Sequence, residues 1–250
     1  MTSIRILGCR VDAVDRGAAV ARIAELAHIG RGALVVTLGV EMVMAAQRDA
    51  GFRALVNGAA LCVCDTVGLL VASRLRGGPL RERVTGVELV DALAARSASG
   101  DGLHLYFLGG GGDTAERAAA ALGAKYPGAH IAGARNGYFA PEASGDVAAA
   151  IAASAANVLF AGLGSPKQER WIDEFAAAAG VGVAIGVGGS FDVLAGSVRR
   201  APRIVQRAGL EWAYRLLREP RRWRRQLALP RFALAAMREI ITTKRGTQRW

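Results

Sequence analysis

Short apolar runs alternate with longer amphipathic stretches from residue 4 to residue 187. The short runs suit buried strands, and the longer ones carry apolar residues at the spacing of one helix face. Strands are predicted at residues 4–8, 33–38, 60–64, 104–108, 130–134, 158–162 and 181–187, and helices at residues 16–27, 41–47, 52–57, 67–75, 86–96, 114–126, 146–154 and 167–178. This alternation is typical of an α/β fold, in which helices cover both faces of a largely parallel sheet.

The loops that follow the predicted strands are where a ligand is expected, because parallel sheets bind ligands beyond the carboxyl ends of their strands. Asp65 comes directly after the apolar run LCVC, so rigid backbone would hold its carboxylate at the mouth of a cleft. That position suits a general base, and it equally suits a residue that caps the next helix. Thr37, which closes the run ALVVT, is suited to orient a polar ligand.

A run of glycines in YFLGGGGDTAER lies between a predicted strand and a predicted helix. Gly109 and Gly110 would let backbone amides approach an anion at the positive end of the helix, so a phosphate cradle is one interpretation. A tight strand-to-helix turn without a ligand is the other. The run is not the dinucleotide fingerprint, because Thr114 stands where the third glycine of that motif would fall.

Two further loops carry polar side chains at strand ends. In GLGSPKQER, the side chains of Lys167, Gln168 and Glu169 are expected to emerge together at a helix start, which indicates either a polar site or an ordinary capped helix. In GVGGSFD, Asp192 would either bind a sugar or ribose hydroxyl or cap a loop.

Positive charge is concentrated near the C-terminal end of the sequence. From Arg199 onward there are 15 basic and three acidic residues, whereas the residues before it include 17 basic and 18 acidic ones, and the whole chain carries +11. We therefore expect a near-neutral body of residues 1–196 followed by a basic helical appendage of residues 197–250.

The basic segment has helical phasing, with one apolar face, one basic face and Arg215 at the boundary. The apolar face has Ile204, Val205, Ala208, Trp212 and Leu216, and the other has Arg203, Arg207, Tyr214 and Arg218. Four interpretations fit this pattern: a nucleic-acid arm, a helix for anionic lipid, a cationic lid over a phosphate ligand, and a packed helix with a solvated basic face.

Aromatic residues in the same segment favour the lipid interpretation, because such rings settle at membrane interfaces beside basic residues. They are Trp212, Trp223, Phe232 and Trp250. Nucleic-acid binding is not expected, since no recognised nucleic-acid-binding module is visible.

Several functional classes lack their motifs in this sequence. There is no G-x-S-x-G elbow, no Walker A loop and no D-x-D pair, so neither nucleotide hydrolysis nor a bound metal or cofactor is predicted. Cys9, Cys62 and Cys64 cannot form a disulfide framework, and the first residues do not resemble a signal peptide, so a cytoplasmic location is expected.

Sequence blocks along most of the chain resemble the WecG/TagA/CpsF glycosyltransferases, glycosyltransferase family 26. The resemblance is closest in GLGSPKQERWIDE, GVGGSFDVLAGSVRRAP and GLEWAYRLLREPRRWRR, and it extends upstream to VTLGVEMVMAAQRD, LCVCDTVGLL, RVTGVELV, FLGGGGDTAERAAAAL and NGYF. It implies a Rossmann-like α/β domain of the GT-E type with an appendage that reaches the membrane.

The resemblance also implies a function. The enzyme would be an inverting, metal-independent glycosyltransferase that moves N-acetylmannosamine or a related hexose from a UDP-sugar to a sugar on undecaprenyl diphosphate, in cell-surface polysaccharide synthesis. It would work at the inner face of the cell membrane on anionic lipid, and self-association is left open. The alternatives are a glucosyltransferase that extends a lipid-linked oligosaccharide, and a non-catalytic scaffold at the membrane.

Site residues follow from the resemblance by position. Asp65 would be the general base, Thr37 a polar pocket residue, and Arg83 a basic group near a phosphate. Gln168 and Glu169 would contact the donor sugar. The arginines expected to close over the diphosphate are Arg207, Arg215 and Arg218.

Two positions depart from the family pattern beside the expected base. Gly39 stands where many members have Asn, and Thr66 replaces the usual Gly after the aspartate. The first change removes a side chain that could orient a sugar, so it affects the expected identity of the donor or acceptor. The second change stiffens the turn but keeps the carboxylate.

Overall fold

The computed structural model describes residues 1–202, 204–205, 211–218, 223 and 227–247, with residue 215 and residues 243–247 described by their backbone alone. Its strands are β1 (Ser3–Ile6), β2 (Cys9–Asp12), β3 (Ala33–Leu38), β4 (Leu61–Cys64), β5 (His104–Gly109), β6 (His130–Arg135), β7 (Val158–Gly162) and β8 (Val183–Gly186). Strands β3 to β8 form a parallel sheet in the order β4–β3–β8–β7–β5–β6. The predicted α/β class with a parallel sheet is confirmed.

Helices connect the strands and continue beyond the sheet. They are α1 (Arg16–Ile29), α2 (Val40–Ala46), α3 (Ala50–Gly58), α4 (Val67–Leu75), α5 (Gly86–Ala98), α6 (Thr114–Lys125), α7 (Ser144–Ala153), α8 (Lys167–Phe175), α9 (Ser190–Leu194), α10 (Glu211–Arg218) and α11 (Ala228–Thr247). A single 3₁₀ turn, Pro141–Ala143, precedes α7.

Two hydrophobic cores lie on the two faces of the sheet. Side chains alternate between the faces, so Leu34 and Val36 of β3 join one core while Val35 joins the other. The first core is covered by the β1–β2 hairpin, α2, α3, α4, α7, α8 and part of α11. The second core is covered by α1, α5, α6 and α9. This is the layered arrangement that the alternating sequence predicts.

The first predicted strand, residues 4–8, is instead one arm of an antiparallel hairpin outside the main sheet. Leu7 and Gly8 form the turn with φ of +48° and +76°. Positive φ at both turn residues matches the right-handed twist of the strands that a hairpin joins. The predicted strand is confirmed, but its predicted end at residue 8 is wrong, because leucine rarely adopts this conformation and the sequence contains no strong turn signal there.

Helix α11 packs on the body through its own apolar side chains. Phe232 and Ala236 are 4% and 6% exposed and belong to the first core, against α2 and α4. The Glu239 carboxylate accepts hydrogen bonds from the Leu7 N–H at 3.2 Å and from Arg76 Nη1 at 2.9 Å. The predicted membrane role of Phe232 is therefore wrong in this structure, because its ring is buried in protein.

Replacing Phe232 tests whether α11 is part of the folded core. We expect Phe232→Ala to lower the free energy of unfolding by about 3–4 kcal/mol, because it removes a buried ring and leaves a cavity. Leu234→Ala is the matched control, since Leu234 lies on the same helix but is 63% exposed, and we expect a change within about 0.5 kcal/mol. Urea unfolding monitored by circular dichroism measures both, and equal effects would contradict the docked position.

Candidate active site

Asp65 lies at the carboxyl edge of the sheet and is fixed there by its backbone. Leu38 of β3 is paired with Cys64 of β4, and the Asp65 N–H donates to the Leu38 carbonyl at 3.0 Å. The Val84 N–H donates to the Cys64 carbonyl at 2.7 Å. The segment that contains Arg83 is therefore held beside the end of β4, next to Asp65. The structure therefore places these two residues on neighbouring segments at this edge.

The buried thiol of Cys64 lies within the electrostatic influence of both residues. Its pKa is raised to about 12, mainly by burial and in part by the Asp65 carboxylate, while the Arg83 guanidinium opposes the increase. The thiol therefore stays protonated at neutral pH and acts as a core residue. Cys62 is fully buried, and its pKa is also raised by burial. Neither thiol is available as a nucleophile.

Thr37 is buried at the end of β3 and links two strands. Its hydroxyl donates to the Gly186 carbonyl of β8 at 2.6 Å, and the residue is 8% exposed. The donor of this hydroxyl is therefore already used within the sheet. A hydrogen bond from Thr37 to a ligand would require a change of partner.

Gln168 and Glu169 point into the protein instead of emerging at the helix start. They are 3% and 0% exposed, and Gln168 Nε2 donates to Glu169 Oε1 at 2.7 Å. Gln168 Oε1 accepts from the Gly188 N–H at 3.1 Å. A Cβ added to Gly186 would lie 2.6 Å from Gln168 Nε2, so a glycine is required there. The amide thus holds the loop after β8 in place.

Burial raises the pKa of the Glu169 carboxyl, and the hydrogen bond from Gln168 opposes this effect. The raised pKa means that the stability this group contributes is present at low pH and is lost as the pH rises through its folded value.

Lys167 does emerge at the surface, with its ammonium 5.3 Å from the centroid of the Phe139 ring. The expected polar site at this helix start is thus divided between a buried pair and a surface lysine.

The glycine run after β5 has backbone reasons for its composition. Gly109 has a φ of +144°, and a Cβ there would lie 2.5 Å from the Gly162 carbonyl carbon of β7. Gly110 has a φ of +68°, and its N–H donates to the Gly162 carbonyl at 3.1 Å. Close packing of two strand ends therefore accounts for Gly109, and the positive φ together with the nearby Thr114 side chain accounts for Gly110. The phosphate cradle stays a prediction.

Tyr138 stands over this glycine run and was not singled out from the sequence. The residue is 82% exposed, and a Cβ added to Gly111 would lie 3.1 Å from its Cε2 atom. Its N–H donates to Asn136 Oδ1 at 3.1 Å, which fixes the loop after β6. The block NGYF places this aromatic residue in the loop after a predicted strand. That position was the sequence signal that could have identified Tyr138.

Asp192 is half-buried in the first turn of α9, and its main-chain carbonyl accepts from the Val198 N–H at 2.9 Å. The loop that leads toward the basic segment is therefore anchored at this residue. Because α9 follows β8, Asp192 also lies near the same edge of the sheet.

A carboxylate in α10 links the basic segment to this edge. Glu211 Oε2 lies 3.4 Å from Arg83 Nη1, and Glu211 Oε1 lies 3.4 Å from Arg200 Nε. Arg200 Nη2 in turn lies 3.1 Å from Glu88 Oε1 at the start of α5. The resulting chain of four charges, Arg83–Glu211–Arg200–Glu88, ties α10 to the loop that precedes α5. Sequence reasoning missed Arg200 and Glu211, because nothing in a charge run identifies its partners.

Of the three tail arginines of the expected lid, Arg218 has a described side chain. Arg218 is exposed, with its guanidinium carbon 5.6 Å from the centroid of the Tyr214 ring. Arg207 and the side chain of Arg215 lie outside the described residues. No helix within the described ranges is long and apolar enough to cross a bilayer.

Comparison with known proteins identifies the family of this chain. The sequence model described as "Glycosyl transferase WecG/TagA/CpsF family" matches residues 4–246. A protein of Bacillus spizizenii (strain ATCC 23059 / NRRL B-14472 / W23), named N-acetylglucosaminyldiphosphoundecaprenol N-acetyl-beta-D-mannosaminyltransferase, is 35% identical over 208 residues, which cover 83% of this chain and 80% of the relative. A protein of the same name from Bacillus subtilis (strain 168) is 32% identical with the same coverage. The chain therefore belongs to the WecG/TagA/CpsF family of glycosyltransferases.

Proposed function

We propose that this protein transfers N-acetylmannosamine, or a closely related hexose, from a UDP-sugar to the N-acetylglucosamine of a lipid-linked diphosphate. The acceptor and the transferred sugar follow the names of the two Bacillus relatives. The observation that supports the proposal best is the position of Asp65, a carboxylate fixed by backbone bonds next to the segment of Arg83 at the ligand-binding edge. A base and a cation side by side are what transfer from a diphosphate requires.

In the proposed reaction, the Asp65 carboxylate accepts the proton of the acceptor hydroxyl as that oxygen attacks the anomeric carbon of the donor. The bond between the anomeric carbon and the diphosphate oxygen breaks, and both of its electrons leave with UDP. Because the attacking oxygen approaches the face opposite the leaving group, the anomeric configuration inverts. The guanidinium of Arg83 offsets the charge that develops on the departing diphosphate.

Arginines of the basic segment would add to this charge in the closed state. Arg207, Arg215 and Arg218 are proposed to approach the diphosphate after α10 has been positioned by Glu211. The ring of Tyr138 offers a flat apolar face beside the glycine run, where the uracil of the donor could stack. Gln168 and Glu169 would then shape the donor site through the loop after β8 rather than through exposed side chains.

A membrane surface is proposed as the place of the reaction, because the acceptor is anchored in lipid. Two adjacent helices, α4 and α11, expose apolar side chains that could enter the interface: Val71, Leu75, Leu234, Met237 and Ile241. Arg74, Arg231 and Arg238 are exposed on the same two helices and could contact anionic headgroups. We propose a peripheral position on the inner face of the cell membrane.

The proposed transfer is tested with UDP-N-acetylmannosamine and a synthetic prenyl-diphosphate N-acetylglucosamine. Mass spectrometry should show addition of one N-acetylhexosamine to the acceptor, and NMR should show a β linkage formed from an α donor. A product that keeps the donor configuration, or the absence of any product with hexose and hexosamine donors alike, would refute the proposal.

Asp65→Asn isolates the proton-transfer step. We expect kcat/KM to fall about 10²–10⁴-fold, because the amide cannot accept the proton, while the affinity for UDP by calorimetry stays within about twofold. Asp146→Asn is the matched control, since Asp146 is an exposed aspartate on α7, and it should behave as the wild type. Normal turnover by Asp65→Asn would remove Asp65 from the role of base.

Glu211→Gln and Glu239→Gln separate positioning of the site from docking of the tail. Each glutamate joins the C-terminal segment to an arginine of the body, but Glu211 contacts Arg83 while Glu239 contacts Arg76. Both pairs are partly exposed, so each variant should lose at most about 1 kcal/mol of stability. We expect only Glu211→Gln to lower kcat/KM, by about fivefold, because the ion pair that helps to position the Arg83 side chain is lost. Equal activity losses in steady-state assays would show that Glu211 does no more than dock the tail.

A further inference from the structure

The hydroxyl of Thr66, the residue after Asp65, is buried and has no hydrogen-bond partner among the described residues. Thr66 occupies the N-cap position of α4, where a threonine normally accepts a hydrogen bond from the first helical turn, yet its side chain makes no such bond. Thr85 shows the usual arrangement at the start of α5, with its Oγ1 accepting from the Glu88 N–H at 3.4 Å. A folded protein rarely leaves a buried hydroxyl without a partner, so this group requires an explanation.

The space beside Thr66 is bounded by a glycine, Gly39, that the backbone does not require. Gly39 follows β3 as Asp65 follows β4, and the pairing of Leu38 with Cys64 brings the two loops side by side. A Cβ added to Gly39 would lie 3.4 Å from the Thr66 Cγ2 atom. The backbone of Gly39 has a φ of −110°, which any residue can adopt, so the backbone does not require glycine there. The glycine instead leaves room next to the Thr66 methyl group.

We propose that Thr66 determines specificity for the acceptor sugar, and this inference rests on the proposed function. A rotation of about 120° around its Cα–Cβ bond moves the hydroxyl to the position of the methyl group and the methyl group to the position of the Cβ hydrogen, and threonine populates more than one such rotamer readily. The rotation brings Oγ1 to the side of Gly39, at the carboxyl edge of the sheet. There the hydroxyl binds the hydroxyl or acetamido group that neighbours the attacking hydroxyl of the acceptor.

The acceptor is favoured over the donor because of the chain connection to Asp65. Asp65 contacts the attacking hydroxyl in the proposed reaction, and consecutive Cα atoms lie about 3.8 Å apart. Neighbouring substituents on a pyranose ring are separated by a similar distance, so two adjacent residues can contact two adjacent groups of one sugar. The hydroxyl of Thr66 thus gains its hydrogen-bond partner when the acceptor sugar binds.

Thr66→Val tests the inference, because valine keeps the shape and removes the hydroxyl. In the ligand-free protein we expect the midpoint of thermal unfolding to rise by about 2–4 °C, since an unsatisfied buried group is removed. Thr85→Val is the matched control, and its midpoint should fall, because a working cap is lost. For transfer, we expect Thr66→Val to raise the KM for the acceptor by about tenfold with the donor KM unchanged, and Thr66→Ser to stay within about twofold of the wild type.

Gly39→Ala supplies a second test that leaves the hydroxyl in place. The added methyl group makes ordinary contact with Thr66, so the variant should fold with an unchanged midpoint, while the narrowed space should raise the acceptor KM. A fall in the midpoint of Thr66→Val would show that its hydroxyl is already satisfied and structural. A rise in the donor KM alone, or an unchanged acceptor KM in both variants, would also overturn the inference. A wild type that transfers no sugar would instead refute the proposed function.

Discussion

Two main-chain hydrogen bonds at the end of β4 set the geometry on which the whole site depends. One joins the Asp65 N–H to Leu38 and the other joins the Val84 N–H to the Cys64 carbonyl. The first continues the pairing of β4 with β3, and the second holds the Arg83 segment against the same strand end. Backbone bonds of this kind position a carboxylate and a cation without using either side chain.

The same edge extends across the sheet because all six strands point one way. The Thr37 hydroxyl joins β3 to β8 through the Gly186 carbonyl. The Gln168 amide joins α8 to the loop after β8 through the Gly188 N–H. Gly109 of β5 and Gly162 of β7 pack closely, so the carboxyl ends of these two strands are also in contact. Substrate specificity is expected where this continuous backbone frame leaves space, and Gly39 beside Thr66 is such a place.

Much of this fold follows from the sequence, because β3, β7 and α4 have clear periodicity and the predicted bounds agree with the observed ones. The hairpin turn at Leu7 could not be predicted, since it depends on a backbone conformation that leucine seldom adopts. Gln168 and Glu169 lie at the predicted helix start, but a strand–helix pattern does not show that the glycine at position 186 leaves room for their side chains in the interior. The ion pairs of Glu211 with Arg83 and Arg200 could not be predicted either, because long-range ion pairs leave no periodic pattern in the sequence.

The C-terminal segment stabilises the fold, in addition to its proposed role in binding the diphosphate. Phe232 and Glu239 attach α11 to the first core and to the β1–β2 hairpin, so removing residues 197–250 would damage the body along with the proposed lid. Point changes at Glu211 and at the arginines are consequently more informative than truncation. Helix α11 also packs against α4, and both helices carry exposed apolar side chains.

The central claim is that the edge around Asp65 and the helix α10 form one site for a diphosphate. Amide hydrogen exchange with and without UDP tests it directly, with uridine as the ligand that lacks phosphate. The account predicts that UDP slows exchange both at residues 83–86 and throughout α10, and that uridine slows neither. Slower exchange at the strand ends with α10 unchanged would show that the tail takes no part in binding.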